Sequence, residues 1–273
     1  MNKFFTLCCC LLFFYVNVKA GNDNYPSGAG PAGMGNASVT MQNLWSVSHN
    51  QAGLAGLEKI AAGVYYDRRF NLDELSIKSF GAALPVSKLG VFGIHVNMFG
   101  YSLYNEKKIG IGYARKFSEM VNVGVQLNYH TTSIAENYGS NNAFTVEGGI
   151  QVKLIEGMTA GFHIFNPTQA SLAEYDDERI PTIMKFGLGY KFSTKLFAAI
   201  ESEKDIDQEA MFKGGIEYRP VEQIYIRAGI STNPVLNSFG AGFIIGNLQI
   251  DIAATLHQSL GYTPQASLIY TFE

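Results

Sequence analysis

From about residue 59 to the C-terminus the side chains alternate, nearly everywhere, between apolar and polar or very small. In 121–130, Val121, Val123, Val125, Leu127 and Tyr129 point one way; Asn122, Gly124, Gln126, Asn128 and His130 point the other. The same two-residue period runs through 144–154, 184–191 and 248–257. Successive side chains of a strand face opposite ways, so each segment reads as a strand with one apolar and one polar face. On a helix of 3.6 residues per turn the same residues would scatter around the wheel. The pattern predicts fourteen strands: 60–70, 74–84, 89–99, 107–117, 121–134, 142–154, 158–166, 181–191, 195–203, 210–219, 223–232, 237–246, 248–258 and 264–273. Proline cannot donate to a ladder, and Pro85, Pro167, Pro181, Pro220, Pro234 and Pro264 all fall at predicted strand ends or in connections. In 74–84, Leu75, Ile77, Lys78 and Phe80 do not separate into two faces, so its register is open.

Connections after even-numbered strands are tight, as in Ile155-Glu156-Gly157 and at Asn247. Those after odd-numbered strands read as mostly longer and more polar, up to Pro167–Ile180. Short turns at one end and longer loops at the other mark an outer-membrane barrel. The distribution of charge agrees. One set of faces carries Phe, Tyr, Ile, Leu and Val. The other carries Asp67, Arg69, Glu147, Lys153, Lys185, Lys191, Glu201, Glu203, Lys213, Glu217, Arg219, Arg227 and Asp251, together with most strand glycines. A charge facing lipid at mid-depth costs about 2–4 kcal/mol, so the charged face lines the lumen. The last strand alternates through Ala266, Leu268, Tyr270 and Phe272, resembling the terminal signal of outer-membrane barrels. The fold class is therefore all-β: a 14-stranded antiparallel transmembrane β-barrel, whose closure leaves no edge exposed to lipid.

The remaining chain changes this picture at its N-terminus. Residues 1–20 read as a cleaved signal peptide, with Lys3, an apolar run from Phe4 to Val16, and Val18-Lys19-Ala20 as the cleavage site. Cys8, Cys9 and Cys10 all lie within it, so the exported chain uses no disulfide. The expected destination is the outer membrane of a Gram-negative cell, with its lipid bilayer as first partner. Residues 21–58 are rich in Gly, Ala and Asn without a two-residue period; 59–273 form the barrel. Of the 273 residues 47% are hydrophobic and 16% charged, which excludes a disordered chain. After residue 20 no apolar run is long enough for a spanning helix. A net charge of −3 gives no basic footprint for nucleic acid.

The segment from Gly28 to Ala55 carries a recognisable pattern. Ala32-Gly33-Met34-Gly35-Asn36-Ala37 and Asn50-Gln51-Ala52-Gly53-Leu54-Ala55 resemble the N-terminal signature of the FadL superfamily and its PorV/PorQ branch. That signature runs as an Ala/Gly-Met-Gly-Gly-Ala-type start, a short helical stretch, then Asn-Pro-Ala-Gly-Leu. Gln51 stands where the family has Pro, which removes that residue's fixed turn geometry. The resemblance implies fourteen strands and an N-terminal hatch, or plug, lying inside the barrel. It makes Gly33, Met34, Gly35, Asn50, Ala52, Gly53 and Leu54 the hatch motif. The lumen glycines Gly93, Gly149, Gly187, Gly189, Gly215 and Gly229 leave room for such a segment.

Candidate chemistry is sparse. Lumen-lining candidates are His95, His130, Glu147, His163, Arg227, Asp251 and His257. The four histidines sit on separated strands, so spacing does not make them converge; His49 lies in the hatch. No Gly-x-Ser-x-Gly, paired-His or Walker-type motif occurs. No catalytic residue, metal ligand or cofactor is expected, and the chain reads as a non-enzyme. The acidic run Glu174–Glu178 lacks calcium-loop spacing and reads as a solvated loop.

Two functions remain. A PorV/PorQ-like barrel would be a partner-binding component of type IX secretion or cell-surface attachment, with a protein partner. A FadL-like transporter would carry a hydrophobic ligand such as a fatty acid. It needs an apolar cup beneath long loops and a hatch that moves. The charged lumen and short loops favour the first.

Overall fold

The computed structural model describes residues 24–135, 139–172 and 179–273. The proposed signal peptide and the acidic run 174–178 lie outside the described residues. The strands are β1 (Ala61–Arg68), β2 (Ser76–Val86), β3 (Gly90–Gly100), β4 (Tyr104–Lys116), β5 (Val121–Ile134), β6 (Gly139–Ile155) and β7 (Met158–Phe165). They continue as β8 (Ile183–Lys191), β9 (Leu196–Asp205), β10 (Met211–Tyr218), β11 (Ile224–Ser231), β12 (Leu236–Ile245), β13 (Leu248–His257) and β14 (Gly261–Thr271). Each pairs antiparallel with its sequence neighbours, and β1 pairs with β14 from Ala61↔Thr271 to Asp67↔Gln265, closing the barrel.

The two faces separate as the alternation requires. Ile111, Phe144, Ile200 and Phe212 stand exposed on the outer surface, whereas Glu147, Glu201, Lys213, Arg227 and Asp251 are buried on the inner one. An apolar exterior around an enclosed charged interior is the inside-out arrangement of a barrel solvated by lipid. The register left open in β2 resolves with Ile77 inside and fully buried, and Lys78 outside. Lys78 lies near the loop end of its strand, opposite Tyr66 and Met98, where a long amine can reach the headgroups.

Three expectations need correction. First, most odd-numbered connections are as short as the even ones: 101–103, 232–235 and 258–260 compare with 87–89 and 192–195. The long exceptions are 69–75 and 166–182. The hairpins simply continue past the apolar alternation, as where Thr131–Ile134 pairs with Gly139–Asn142 in polar sequence. Backbone pairing beyond the bilayer needs no apolar face. Second, Pro85 and Pro264 lie inside β2 and β14. Each is tolerated because β1, their shared neighbour, has already stopped pairing, at Ala83 in β2 and at Gln265 in β14. Third, His257 lies at the loop-end rim, half-exposed. Its Nδ1 accepts from Ser259 N and Leu260 N at 3.1 Å and caps the β13–β14 turn.

Residues 24–58 run through the barrel interior. Helix α1 (Ala29–Gly33) packs on β11, β12, β13 and β14, and the 3₁₀ turn Gln51–Gly56 packs on β3, β4, β5 and β6 across the lumen. Between them, Met34 abuts Gly215 of β10, Val39 abuts Gly187 of β8, Leu44 and Trp45 lie by Gly63 of β1 and Gly81 of β2, and the short helix α2 (Ser46–His49) packs on β3, so the wall is touched all round. Only a segment inside the cylinder can do this.

Candidate functional site

The interior contact is built from small wall residues and a tightly folded segment. All six lumen glycines named from the sequence face it. A β-carbon added at Gly187 would stand 2.7 Å from Val39 Cγ1, and one at Gly93 would stand 2.9 Å from Leu54 Cδ1. Gly215 and Gly229 abut Met34, Gly149 abuts Asn50, and Gly189 abuts Thr40. Leu44, Trp45 and Val47 pack over Gly81, and Trp45 meets the Tyr65 ring edge-on at 6.0 Å. Burial of this indole and of Leu54 anchors the segment by the hydrophobic effect.

The small and polar residues of this segment fix its path. Gly35 (φ +65°) and Asn36 (φ 58°) turn the chain in left-handed conformation beside the Ile230 backbone. Gly33 lies against the Gly240 backbone, and Gly53 against Met41 O. Asn50 caps the 3₁₀ turn by accepting from Ala52 N at 3.2 Å, while its Nδ2 donates to Val39 O at 2.7 Å. Gln51 occupies the first position of that turn, where a proline also fits because its N–H is not needed. Here the glutamine Nε2 instead donates to Val47 O at 3.1 Å.

Charged wall residues hold the segment and one another. Glu201 Oε2 accepts from Ser38 N and Val39 N, both at 2.8 Å, and its Oε1 lies 3.1 Å from Lys213 Nζ. Lys213 and Lys185 both pair with Glu203, at 2.5 and 3.3 Å. Arg227 donates to Glu217 and Asp251 at 2.6 Å each, directly beneath Gly30 and Gly33 of α1. Glu147 is fully occupied: His163 Nε2 donates to one oxygen at 2.9 Å, and Gln126 and Asn128 donate to the other at 2.8 and 2.9 Å. Lys108 Nζ stands 3.8 Å from it. Buried charges need such partners, because breaking one pair leaves an uncompensated ion.

The histidines do not converge. His95 Nε2 is 3.0 Å from Ser27 Oγ, and His130 Nε2 is 2.9 Å from Thr145 Oγ1; His163 serves Glu147 and His257 caps a turn. Among the described residues no group of three potential metal ligands forms. His49 Nε2 donates to Ser27 O at 2.8 Å, and Ser38 Oγ lies 2.9 Å from its Nδ1. Burial first, then the Lys185 charge, holds its pKa well below the usual imidazole value, so it is neutral.

Lys108 and Glu106 were missed from the sequence. The signal was present, because Ile109 and Ile111 face lipid and extending the alternation backwards turns 106 and 108 inward. At the loop end, Ala143, Phe165, Leu172, Ile180 and Ile183 form an apolar cluster. The Phe165 ring faces inward, with Lys108 Nζ over it at 5.2 Å and His130 edge-on at 6.0 Å. This cluster too was not anticipated, because Ile180 and Leu172 come from a connection without periodicity.

No family model matches this sequence, and no curated protein matches it. The closed fourteen-strand fold is nevertheless shared with solved outer-membrane barrels. The chain is similar to the CymD monoaromatic hydrocarbon channel, with TM-score 0.69 and 13% identity over 93% of this chain and 99% of that one. It is similar to the P. putida toluene transporter TodX, with TM-score 0.67 and 12% identity over 92% and 100%. A Pseudomonas aeruginosa FadL homologue gives TM-score 0.63 and 12% identity over 92% and 98%. Of these, CymD is described as a channel and TodX as a transporter.

Proposed function

We propose that this protein is a plugged outer-membrane barrel through which small apolar molecules enter, with the end bearing both barrel termini facing the periplasm. The observation that carries the reading is the apolar cluster around Phe165 at the loop end. It places buried Phe165, Ile180 and Ile183 together inside the barrel at its loop end, beside Lys108 and His130. Phe165 has no exposed surface here, so an apolar solute arriving from outside reaches it by displacing Leu172 and Ile180. The Tyr25–Phe99 stack, with ring centroids 4.6 Å apart, adds a second such surface on the N-terminal segment. Residues 24–58 act as the plug and exclude a water-filled pore. The monoaromatic hydrocarbon channel and the toluene transporter named above support this reading, and no PorV/PorQ-type barrel stands among the structures named. The sequence-based preference for a secretion partner therefore gives way to the transport reading.

The test is saturable binding of p-xylene and of lauric acid by the purified barrel in detergent, with Phe165→Ala beside wild type. Wild type binds at least one of them, and the variant binds at least tenfold more weakly. Absence of saturable binding of either, with recovery of a stoichiometric protein partner on mild purification, would overturn the reading.

A further inference from the structure

At the end of the barrel opposite the Phe165 cluster lies a cavity of about 810 Å³. Its floor is Thr40–Asn43 of the N-terminal segment with Gln151 and Gln249, and its walls are the turn ends of β4 to β11. A repeated placement governs its charge. Lys116 closes β4, Lys153 lies near the end of β6, Lys191 closes β8 and Arg219 follows β10. Lys195 joins them from the β8–β9 turn, and Arg219 N donates to Lys195 O at 2.7 Å, fixing these two side by side.

None of these five cations has an ion-pair partner among the described residues. Of the acids lining the cavity, Glu217 is taken by Arg227, which leaves Glu119. Arg219 is also held in place: its guanidinium stacks on Tyr225 at 4.4 Å and donates to Glu222 O at 3.1 Å. Tyr225 is in turn flanked by Arg227 at 4.7 Å. On the floor, Thr40 is buried, and its Oγ1 has no protein partner. A concave space in the size range of small-ligand sites, polar, with convergent unpaired cations and one prearranged guanidinium, is suited to an oxyanion.

We infer that this vestibule binds small multivalent anions, carboxylate- or phosphate-bearing, from the aqueous side of the plug. The inference concerns the other end of the lumen and does not depend on what crosses the barrel. Four exposed ammonium groups and a guanidinium act through water, so binding is steep in salt: the screening length is about 30 Å at 0.01 M and about 8 Å at 0.15 M. An anion seated here touches residues 40–43 and thus bears on the plug itself.

The test is calorimetric titration of the full-length barrel with citrate and with inorganic pyrophosphate at 10 and 150 mM NaCl. Wild type, K116Q/K153Q/K191Q/R219Q and the control K78Q/K107Q, whose two lysines are exposed at the loop end, are compared, each checked for its β-sheet circular dichroism. Saturable binding of either anion, weakened at least tenfold by the higher salt and at least tenfold by the four-site variant but unchanged in the control, supports the site. Citrate alone binding identifies a carboxylate site, and pyrophosphate alone a phosphate site. No saturable binding by wild type, or equal loss in the control, overturns it. So does binding of poly-glutamate with neither small anion, which would make the vestibule a protein contact.

Discussion

Glu201 is the wall residue on which docking of the N-terminal segment depends most directly, and Glu201→Gln tests it with almost no change in shape. One carboxylate oxygen accepts two backbone N–H bonds at 2.8 Å from Ser38 and Val39; the other faces Lys213 at 3.1 Å. Hydrogen bonds to a charged acceptor contribute about 1.5–3 kcal/mol each, against about 1 for neutral ones. An amide keeps one acceptor oxygen and turns an NH₂ towards either the backbone donors or the ammonium. Two bonds thus fall to neutral strength or one is lost, and Lys213 retains only Glu203. The expected loss in docking is about 2–4 kcal/mol, which is about 30- to 1,000-fold in the opening equilibrium. Hydrogen-exchange mass spectrometry of peptides covering 36–44 reads this directly, as faster exchange in the variant by that factor, with strand peptides from β4 and β5 unchanged. Glu203→Gln is the control, because Glu203 also pairs with Lys213 and accepts no hydrogen bond from the segment. Unchanged exchange at 36–44 in Glu201→Gln, or equal loosening in Glu203→Gln, would refute the assignment of Glu201 as the anchor.

Trp45→Ala removes a buried indole that packs over Gly81 and Tyr65, and should cost about 3–5 kcal/mol of docking, read as protease cleavage between 40 and 58 with the barrel intact. Gly215→Val sets a side chain where the β-carbon alone stands 2.7 Å from Met34 Cβ; it should displace the segment and give ohmic conductance steps in planar bilayers, where wild type gives none. His49 is neutral in the docked segment, with its pKa depressed, and ordinary in a released one. The released state therefore takes up the extra proton, and docking is full above pH 6.5 and weakens as pH falls below it. The limiting slope is about 1.4 kcal/mol per pH unit, so exchange at 46–50, corrected for the intrinsic amide rate, should rise about fivefold between pH 6.5 and 5.5 and lose that dependence in His49→Gln.

Much of this architecture is legible in the sequence because a membrane barrel carries one physical constraint on every strand. Lipid on one side and enclosed charge on the other force the two-residue period, and every strand lies within three residues of the segment predicted for it. The six lumen glycines were readable for the same reason: a wall that must admit a second layer of chain has to give up its side chains there. What was not legible lies where that constraint stops. Hairpins extend into polar sequence beyond the bilayer, so loop lengths were overestimated. Pro264 sits inside β14 because β1 ends early, which depends on register around the closed sheet. The Glu201 contact to Ser38 and Val39 joins positions far apart in sequence through backbone N–H groups, which carry no sequence signal. Likewise Phe165 read as an ordinary strand end until Leu172 and Ile180 closed over it.

Neighbouring positions on β5 offer the sharpest check of which face meets lipid. Val125 is exposed outward and Gln126 is buried inward, where it bonds Glu147 and Asn128. Nitroxide labels at V125C and Q126C, in a chain lacking the three N-terminal cysteines, can be probed by power-saturation EPR in liposomes with lipid-soluble oxygen. Strong relaxation at 125 and weak relaxation at 126 is the result required of a barrel that encloses its charges around a folded segment. Strong oxygen relaxation at 126 with protection at 125 would turn the wall inside out and contradict it.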